Sequence, residues 1–240
     1  MEVESVASIV GKLTDGDTTA FANFFTFEGG EGSGKSTVLA RVSQMLMADG
    51  IKTLATREPG GKGSQKAEAI RSLLYEEYMS DMSDITAAFL YAASRTQHVQ
   101  EIILPHLQDD YVVLCDRYVD SSLVYQGTDS SCLAQVTTIN KIAIKETMPA
   151  TTFFFDVPAE VGLARIFAER KTETNYIDHK DIAFHQTIHQ RYKLLADIFT
   201  ARYVTIDASE PIDDVVRVVY TMIKKKLADR DDVKNKVKDK

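Results

Sequence analysis

The sequence predicts an α/β fold, a parallel sheet covered by helices on both faces. Short runs rich in β-branched and aromatic residues alternate with longer helical patterns along the whole chain. The first junction between such a run and a helix carries four glycines and a lysine, "EGGEGSGKST". Several of the runs are apolar almost throughout, as strands buried on both faces must be.

Taken in order, residues 1–22 read as a polar extension, with a short helix at residues 3–13 and a free tail as the expectation. "NFFTFE" at residues 23–28 is an aromatic run stopped by glycines, which suits a buried strand. Residues 34–50 have helical spacing and end at Gly50, a C-cap candidate. A second strand over residues 51–58 leads into the loop "PGGKG". Two helices follow, one over residues 65–75 and a long one from the cap candidate Ser83 to residue 107. "YVVLCD", residues 111–116, is a third strand, followed by a helix over residues 133–146. A fourth strand (151–157) precedes a helix (159–170) and the polar stretch "KTETNYID". Residues 179–200 are helical, "RYVTIDA" is a fifth strand, and residues 212–227 close as a helix before a charged tail over residues 229–240.

A chain of 240 residues with 44% hydrophobic and 26% charged residues can build a full core. Its net charge of −7 argues against nucleic acid as a partner, while leaving room for a local positive pocket. No run approaches the roughly 18 apolar residues of a membrane helix, so no membrane association is expected. The first residues carry Glu2 and Glu4 and no long apolar run, which fits neither a signal nor a transit peptide. Cys115 and Cys132 form no metal-type pair and read as reduced thiols of a cytoplasmic protein.

In a parallel sheet, sites lie beyond the C-terminal strand ends. Glu58, Asp116 and Asp207 stand at or near such ends, and the glycine loop follows the first strand. Residues 29–36 read G-x-x-x-x-G-K-S, a phosphate-binding loop. Gly29, Gly30, Gly32 and Gly34 let the backbone curl, so that amides from Glu31, Ser33 and their neighbours point at phosphate oxygens. Lys35 adds a mobile charge for the outer phosphates, Ser36 offers a hydroxyl to Mg²⁺, and Thr37 opens the helix. The motif implies a nucleoside triphosphate with Mg²⁺ and leaves motor, switch and transferase open. The guanine-reading N-K-x-D of a GTPase switch is missing.

Three further segments narrow the choice: "TREPGG" (56–61), "FLYAASRTQH" (89–98) and "CDRYVDSSLVYQG" (115–127). In order and spacing they resemble the thymidylate kinase family, over residues from about 24 to about 227. The resemblance implies a P-loop kinase fold with a five-stranded parallel sheet, a kinase domain over residues 23–228 and a short lid at about 168–180. It implies phosphoryl transfer from ATP to dTMP and a homodimer formed through the long helix. It puts Arg117 and Arg71 on the dTMP phosphate, and a guanidinium grips such a group bidentately at any pH. Asp116 takes a Walker-B-like place, orienting the acceptor or holding Mg²⁺. A general base is not needed, because a phosphate monoester is already anionic near neutrality.

Tyr91 and Arg95, at i and i+4 on one helix, match a base-stacking aromatic and a base-reading arginine. The family usually has Phe at the first position. Ser122, Tyr125 and Gln126 match base and sugar contacts, Glu31 a carboxylate near the sugar, and Glu58 the acceptor-site wall. The lid departs from the family pattern. Without an arginine inside the phosphate loop, the lid must supply one, yet Tyr176 stands where it is expected. Arg165 is then the candidate to stack on adenine and Arg170 the candidate to reach the transferring phosphoryl group. His185 and His189 have i, i+4 metal spacing on the same predicted helix as His179, but no third ligand is evident, so a polar helix face is expected. Cys115 reads as a buried strand residue. A kinase for another nucleotide or nucleoside, or a non-catalytic nucleotide-binding module, are the alternatives. Tyr176 is the feature that speaks for the module.

Overall fold

A computed structural model describes residues 3–14, 19–76, 81–169 and 177–238. Five parallel strands form the sheet: β1 (Thr19–Glu28), β2 (Thr53–Arg57), β3 (Val112–Asp116), β4 (Thr147–Asp156) and β5 (Tyr203–Asp207), in the order β2-β3-β1-β4-β5. Alternation along the strands sorts their side chains between two cores. Phe24, Cys115 and Phe154 face one side. Phe25, Phe27, Phe153 and Phe155 face the other. The second side is covered by α2 (Lys35–Ala48) and α10 (Ile212–Lys238). The first is covered by α1 (Val3–Gly11), α4 (Asp84–His98), α6 (Val119–Gln126), α7 (Ser130–Ile144) and α9 (Ile182–Ile198). The remaining helices are α3 (Gln65–Leu74), α5 (Leu104–Gln108) and α8 (Ala159–Glu169).

This order creates the site. β1 and β3 are neighbours, but after β1 the chain turns towards β2, and after β3 it crosses to β4. Their C-terminal ends therefore diverge and leave a crevice, where ligands of open parallel sheets bind. In register, Phe27 stands beside Asp116, so the glycine loop and the Asp116–Arg117 turn emerge side by side.

Several elements differ from the sequence expectation. Residues 3–14 are not a free tail, because Val6, Val10 and Leu13 are buried against the core that includes Leu133 and Val136 of α7. β1 begins at Thr19 rather than at residue 23; Thr19–Phe21 pair with Thr147–Pro149, and a register shift separates this part from the Phe25–Glu28 pairing. β4 correspondingly starts earlier, at Thr147. α6 was not expected at all. It has eight residues, "VDSSLVYQ", without a helical apolar stripe, and it forms because Val119, Leu123 and Val124 find a core that lies elsewhere in the chain. The long helix after Ser83 is capped as expected, the Ser83 side chain accepting from the Thr86 amide. It widens into a π-turn at Val99–Ile103 before resuming as α5. Pro105 lacks an N–H and crowds the carbonyl four residues back, which accounts for the wider turn. α10 continues through the charged tail to Lys238, since the lysines and the arginine there are good helix formers and no residue is proline or glycine.

Candidate active site

The glycine loop is built by close backbone approach. Gly32 has φ +68, and a Cβ there would lie 2.0 Å from the Gly162 carbonyl oxygen of α8. Gly162 in turn could not carry a Cβ, which would lie 2.3 Å from the Glu31 carbonyl oxygen. Loop and α8 thus fit against each other only as glycine on glycine. Lys35 is buried, its ammonium group donating to the Gly30 carbonyl at 2.8 Å and the Ser33 hydroxyl at 3.1 Å. Burial, and then the Arg117 charge, lower its pKa to about 8. Ser36 donates to the Asp116 carboxylate, so a hydroxyl and a carboxylate oxygen meet at the loop. Hard oxygen donors of this kind fit Mg²⁺, which takes few protein ligands and completes its shell with water and substrate phosphates.

A cleft of about 600 Å³ runs over the loop, lined by Lys35, Ser36, Thr37, Asp116 and Arg165, with the segment 208–212 on its far side. Arg165 donates to the Ala208 carbonyl at 2.9 Å, which ties α8 to that segment. A second, narrow pocket of about 40 Å³ is lined by Glu58, Tyr91, Arg95, Ser122, Tyr125 and Gln126, together with Pro59, Tyr75, Ser121 and Ile177. Glu31 and Arg117 line both cavities.

Arg117 is therefore the hinge of the arrangement. It has φ +66, unusual for a residue with a side chain. The Arg117 amide donates to the Phe27 carbonyl at 3.0 Å, and the Cys115 thiol donates to the Arg117 carbonyl at 3.1 Å, which hold the turn. Its Nη2 donates to Glu31 at 2.5 Å, and its Nη1 donates to the Gly29 carbonyl, Ser121 and Tyr192 at 3.1–3.3 Å. Tyr125 donates to the same Glu31 oxygen at 3.1 Å, and the Arg117 guanidinium lies 5.2 Å from its ring centre. The Glu31 carboxylate is thereby neutralised where two anions are expected to meet.

At the back of the narrow pocket, Arg95 is 2% exposed and held on every side. Its Nε donates to Glu58 at 2.7 Å, and its Nη1 donates to Ser122 at 3.0 Å and to Asn140. Nη2 donates to the Tyr118 carbonyl at 3.0 Å. These bonds use four of the five guanidinium N–H groups. Glu58 is also braced by His98 at 3.1 Å, which reaches Thr56 at 2.7 Å with its other nitrogen. Arg71 donates to the Pro59 carbonyl at 3.0 Å and lies 4.6 Å over the Tyr75 ring, beside the pocket but not among its lining residues.

The sequence-predicted residues thus gather around two adjoining cavities, with exceptions. Arg170 and Tyr176, and with them most of the expected lid at 168–180, lie outside the described residues. The three histidines do not share a helix. His179 precedes the cap residue Asp181 of α9, His189 pairs with Asp156 at 2.5 Å, and His185 is buried. No group of metal-binding His, Cys, Asp and Glu side chains occurs among the described residues. Cys115 is buried in its strand, as expected.

Sequence reasoning missed His98, Asn140, Ser121, Tyr192 and Glu28. Ser121 is the neighbour of a residue that was singled out. His98, Asn140 and Tyr192 carry no local signal within their helices, whereas Glu28 stands at a strand end, the signal that also marks Asp116, and reads by sequence only as part of a buried strand.

A family model described as thymidylate kinase matches residues 27–219. The thymidylate kinase of Geobacillus thermodenitrificans is 45% identical over 193 residues, covering 80% of this chain and 85% of the relative. That of Lactobacillus acidophilus is 43% identical over 207 residues, covering 85% and 94%. That of Bacillus cytotoxicus is 40% identical over 205 residues, covering 85% and 98%.

Proposed function

The chain belongs to the thymidylate kinase family, and we propose on that premise that it transfers the γ-phosphoryl group of ATP to dTMP, giving dTDP and ADP. The observation that carries this reading is the meeting of two cavities at Glu31 and Arg117, one over the phosphate loop and one ending at a buried arginine. Two anionic ligands placed there would point their reacting ends at each other. Positioning of this kind is most of what phosphoryl transfer asks of a protein.

In the wide cleft, the amides of the glycine loop receive the β- and γ-phosphates of ATP, and Lys35 turns from its loop contacts to the outer oxygens. Arg165 faces the nucleoside end. In the narrow pocket, Tyr91 offers its ring face to the thymine, and Arg95 offers its remaining N–H to the base edge. Glu58, Ser122 and Gln126 form the walls. Arg117 grips the acceptor phosphate, which competes with Glu31 for the guanidinium, and Arg71 reaches the same phosphate from α3. Glu31, once released, is free to accept from a sugar hydroxyl, with Tyr125 still bound to it. The acceptor phosphate attacks as an anion, so no residue has to take its proton. Ser36 and Asp116 are the residues that would hold a Mg²⁺ ion, which when bound offsets the negative charge of the donor phosphates. The pocket is narrow in this state, so dTMP binding requires lining side chains to part. Tyr75 and Ile177, both in turns, are the ones expected to move. Arg170 remains our candidate for the lid arginine.

Phe89 on α4 and Ile142 on α7 are 58% and 74% exposed on helices that pack together, and we assign a homodimer to this face. Neither cysteine is in a disulfide, which suits the cytoplasm. No helix among the described residues is long and apolar enough to cross a membrane. The test is a coupled assay of ADP formation with ATP, Mg²⁺ and each nucleoside monophosphate in turn. ADP formation that depends on dTMP and exceeds that with other monophosphates is expected. A tenfold preference for another monophosphate, or ATP binding without turnover, would reject the reading.

A further inference from the structure

Glu28 is the last residue of β1, one position before the glycine loop, and is completely buried. Its Oε1 accepts the Tyr118 amide at 2.7 Å. Its Oε2 accepts the Ser121 hydroxyl at 2.7 Å and the Tyr192 hydroxyl at 2.9 Å. Those same hydroxyls lie 3.3 and 3.2 Å from Nη1 of Arg117. A guanidinium can only donate, so each hydroxyl oxygen accepts from Arg117 and has its single proton to give elsewhere. The two hydroxyls also lie 2.8 Å from each other, but the charge of an ionised Glu28 draws both protons to Oε2 in preference to that neutral contact and leaves both oxygens turned to the arginine. We propose that Glu28 is the positioning residue for Arg117, acting through the hydroxyls of Ser121 and Tyr192. This deepens the function given above and rests on it for the anion that Arg117 grips.

The relay has a polarity that protonation would reverse. A protonated Oε2 becomes a donor to one hydroxyl, which must turn its own proton aside. Arg117 then competes with Glu28 for the lone pairs of that oxygen and loses the balancing charge behind it. Burial, and next the Asp120 carboxylate, raise the Glu28 carboxyl to about 7, against the opposing Ser121 bond, Arg117 charge and Tyr192 bond. The groups facing Glu28 include Asp120 with its partner Arg202, Arg117, Lys35 from the start of α2, Cys115 of β3, Tyr203 of β5 and Tyr192 of α9.

The test compares wild type, Tyr192→Phe and Glu28→Gln by steady-state kinetics between about pH 5.5 and 9, with ATP affinity by calorimetry. Tyr192→Phe keeps the buried volume and removes one relay oxygen. Its kcat/KM for dTMP is expected to fall about tenfold, the loss of one buried hydrogen bond, with ATP affinity unchanged. Glu28→Gln is expected to lose the acid limb near pH 7. It would keep only the lower limb that belongs to the second ionisation of the dTMP phosphate, near about 6. A loss of folding in either variant would lower the active fraction without separating the two substrates. If Glu28→Gln does not fold, Tyr192→Phe decides alone. Wild-type kcat/KM for dTMP in Tyr192→Phe, an equal loss of ATP affinity, or a limb near 7 retained in Glu28→Gln would overturn the proposal. Absence of dTMP-dependent ADP formation in the wild type would reject the function instead.

Discussion

Replacing Arg117 separates a phosphate grip from a merely structural arginine. The side chain is 16% exposed, as is its partner Glu31. If the guanidinium holds the acceptor phosphate through two charge-assisted bonds at about 1.5–3 kcal/mol each, Arg117→Ala removes roughly 3–6 kcal/mol. At 1.4 kcal/mol per factor of ten, kcat/KM for dTMP falls by about 10²–10⁴. The loss lies towards the upper end, because Ala also takes the guanidinium charge away from the Glu31 carboxylate beside the incoming phosphate. Arg117→Lys keeps the charge and lacks the planar fork, so an intermediate loss is expected. The backbone does not confuse the comparison, since Arg, Lys and Ala all carry a Cβ at the same φ of +66. Arg117 also borders the wide cleft, but in the proposed function the loop amides and Lys35 supply the main phosphate contacts there. ATP affinity should therefore stay within about fivefold, under 1 kcal/mol. The assay pairs coupled kinetics in varied dTMP with calorimetric titration of ATP. If ATP affinity weakens as much as kcat/KM for dTMP, Arg117 holds the loop rather than the acceptor.

Gly162→Ala would drive a Cβ to 2.3 Å from the Glu31 carbonyl oxygen, a backbone atom that cannot swing away. The strain of about 1–3 kcal/mol falls on the glycine loop, and ATP titration should show binding weaker by about fivefold to 100-fold. Lys35 has a lowered pKa of about 8, and triphosphate binding restores its charged form. ATP binding near that pH should therefore take up a proton and weaken as pH rises further, which calorimetry in buffers of different ionisation enthalpy detects; no uptake refutes it. Leu13→Ala, in a side chain with no exposure, should lower unfolding free energy by about 2–5 kcal/mol in denaturant melts while leaving kcat near wild type. A cost under 0.5 kcal/mol would mean that the turn after α1 is peripheral to the core.

The phosphate loop was readable because its chemistry is local. Glycines, a lysine and a hydroxyl within nine residues can cradle phosphate only if strand and helix flank them, and the flanking patterns were present. Asp116 and Arg117 were readable as a strand end followed by a cation. Glu28 was not, although it lies within the same quoted stretch, because its partner Tyr192 is 164 residues away. Arg95 was singled out by the family resemblance, and its i, i+4 relation to Tyr91 added only that both lie on one helix face. That Glu58, Ser122, Asn140 and the Tyr118 carbonyl occupy most of its donors could not be read, since they arrive from three other segments.

Periodicity and turn chemistry by themselves determined the alternation of strands and helices, the loop and the residue types at the strand ends, since each depends on neighbours a few positions apart. Only the tertiary structure decided that α6 forms, that the first helix is part of the core, and that a buried glutamate stands behind Arg117. Those outcomes depend on burial and on hydrogen bonds between distant segments, whose free energy exists only once the sheet has brought them together.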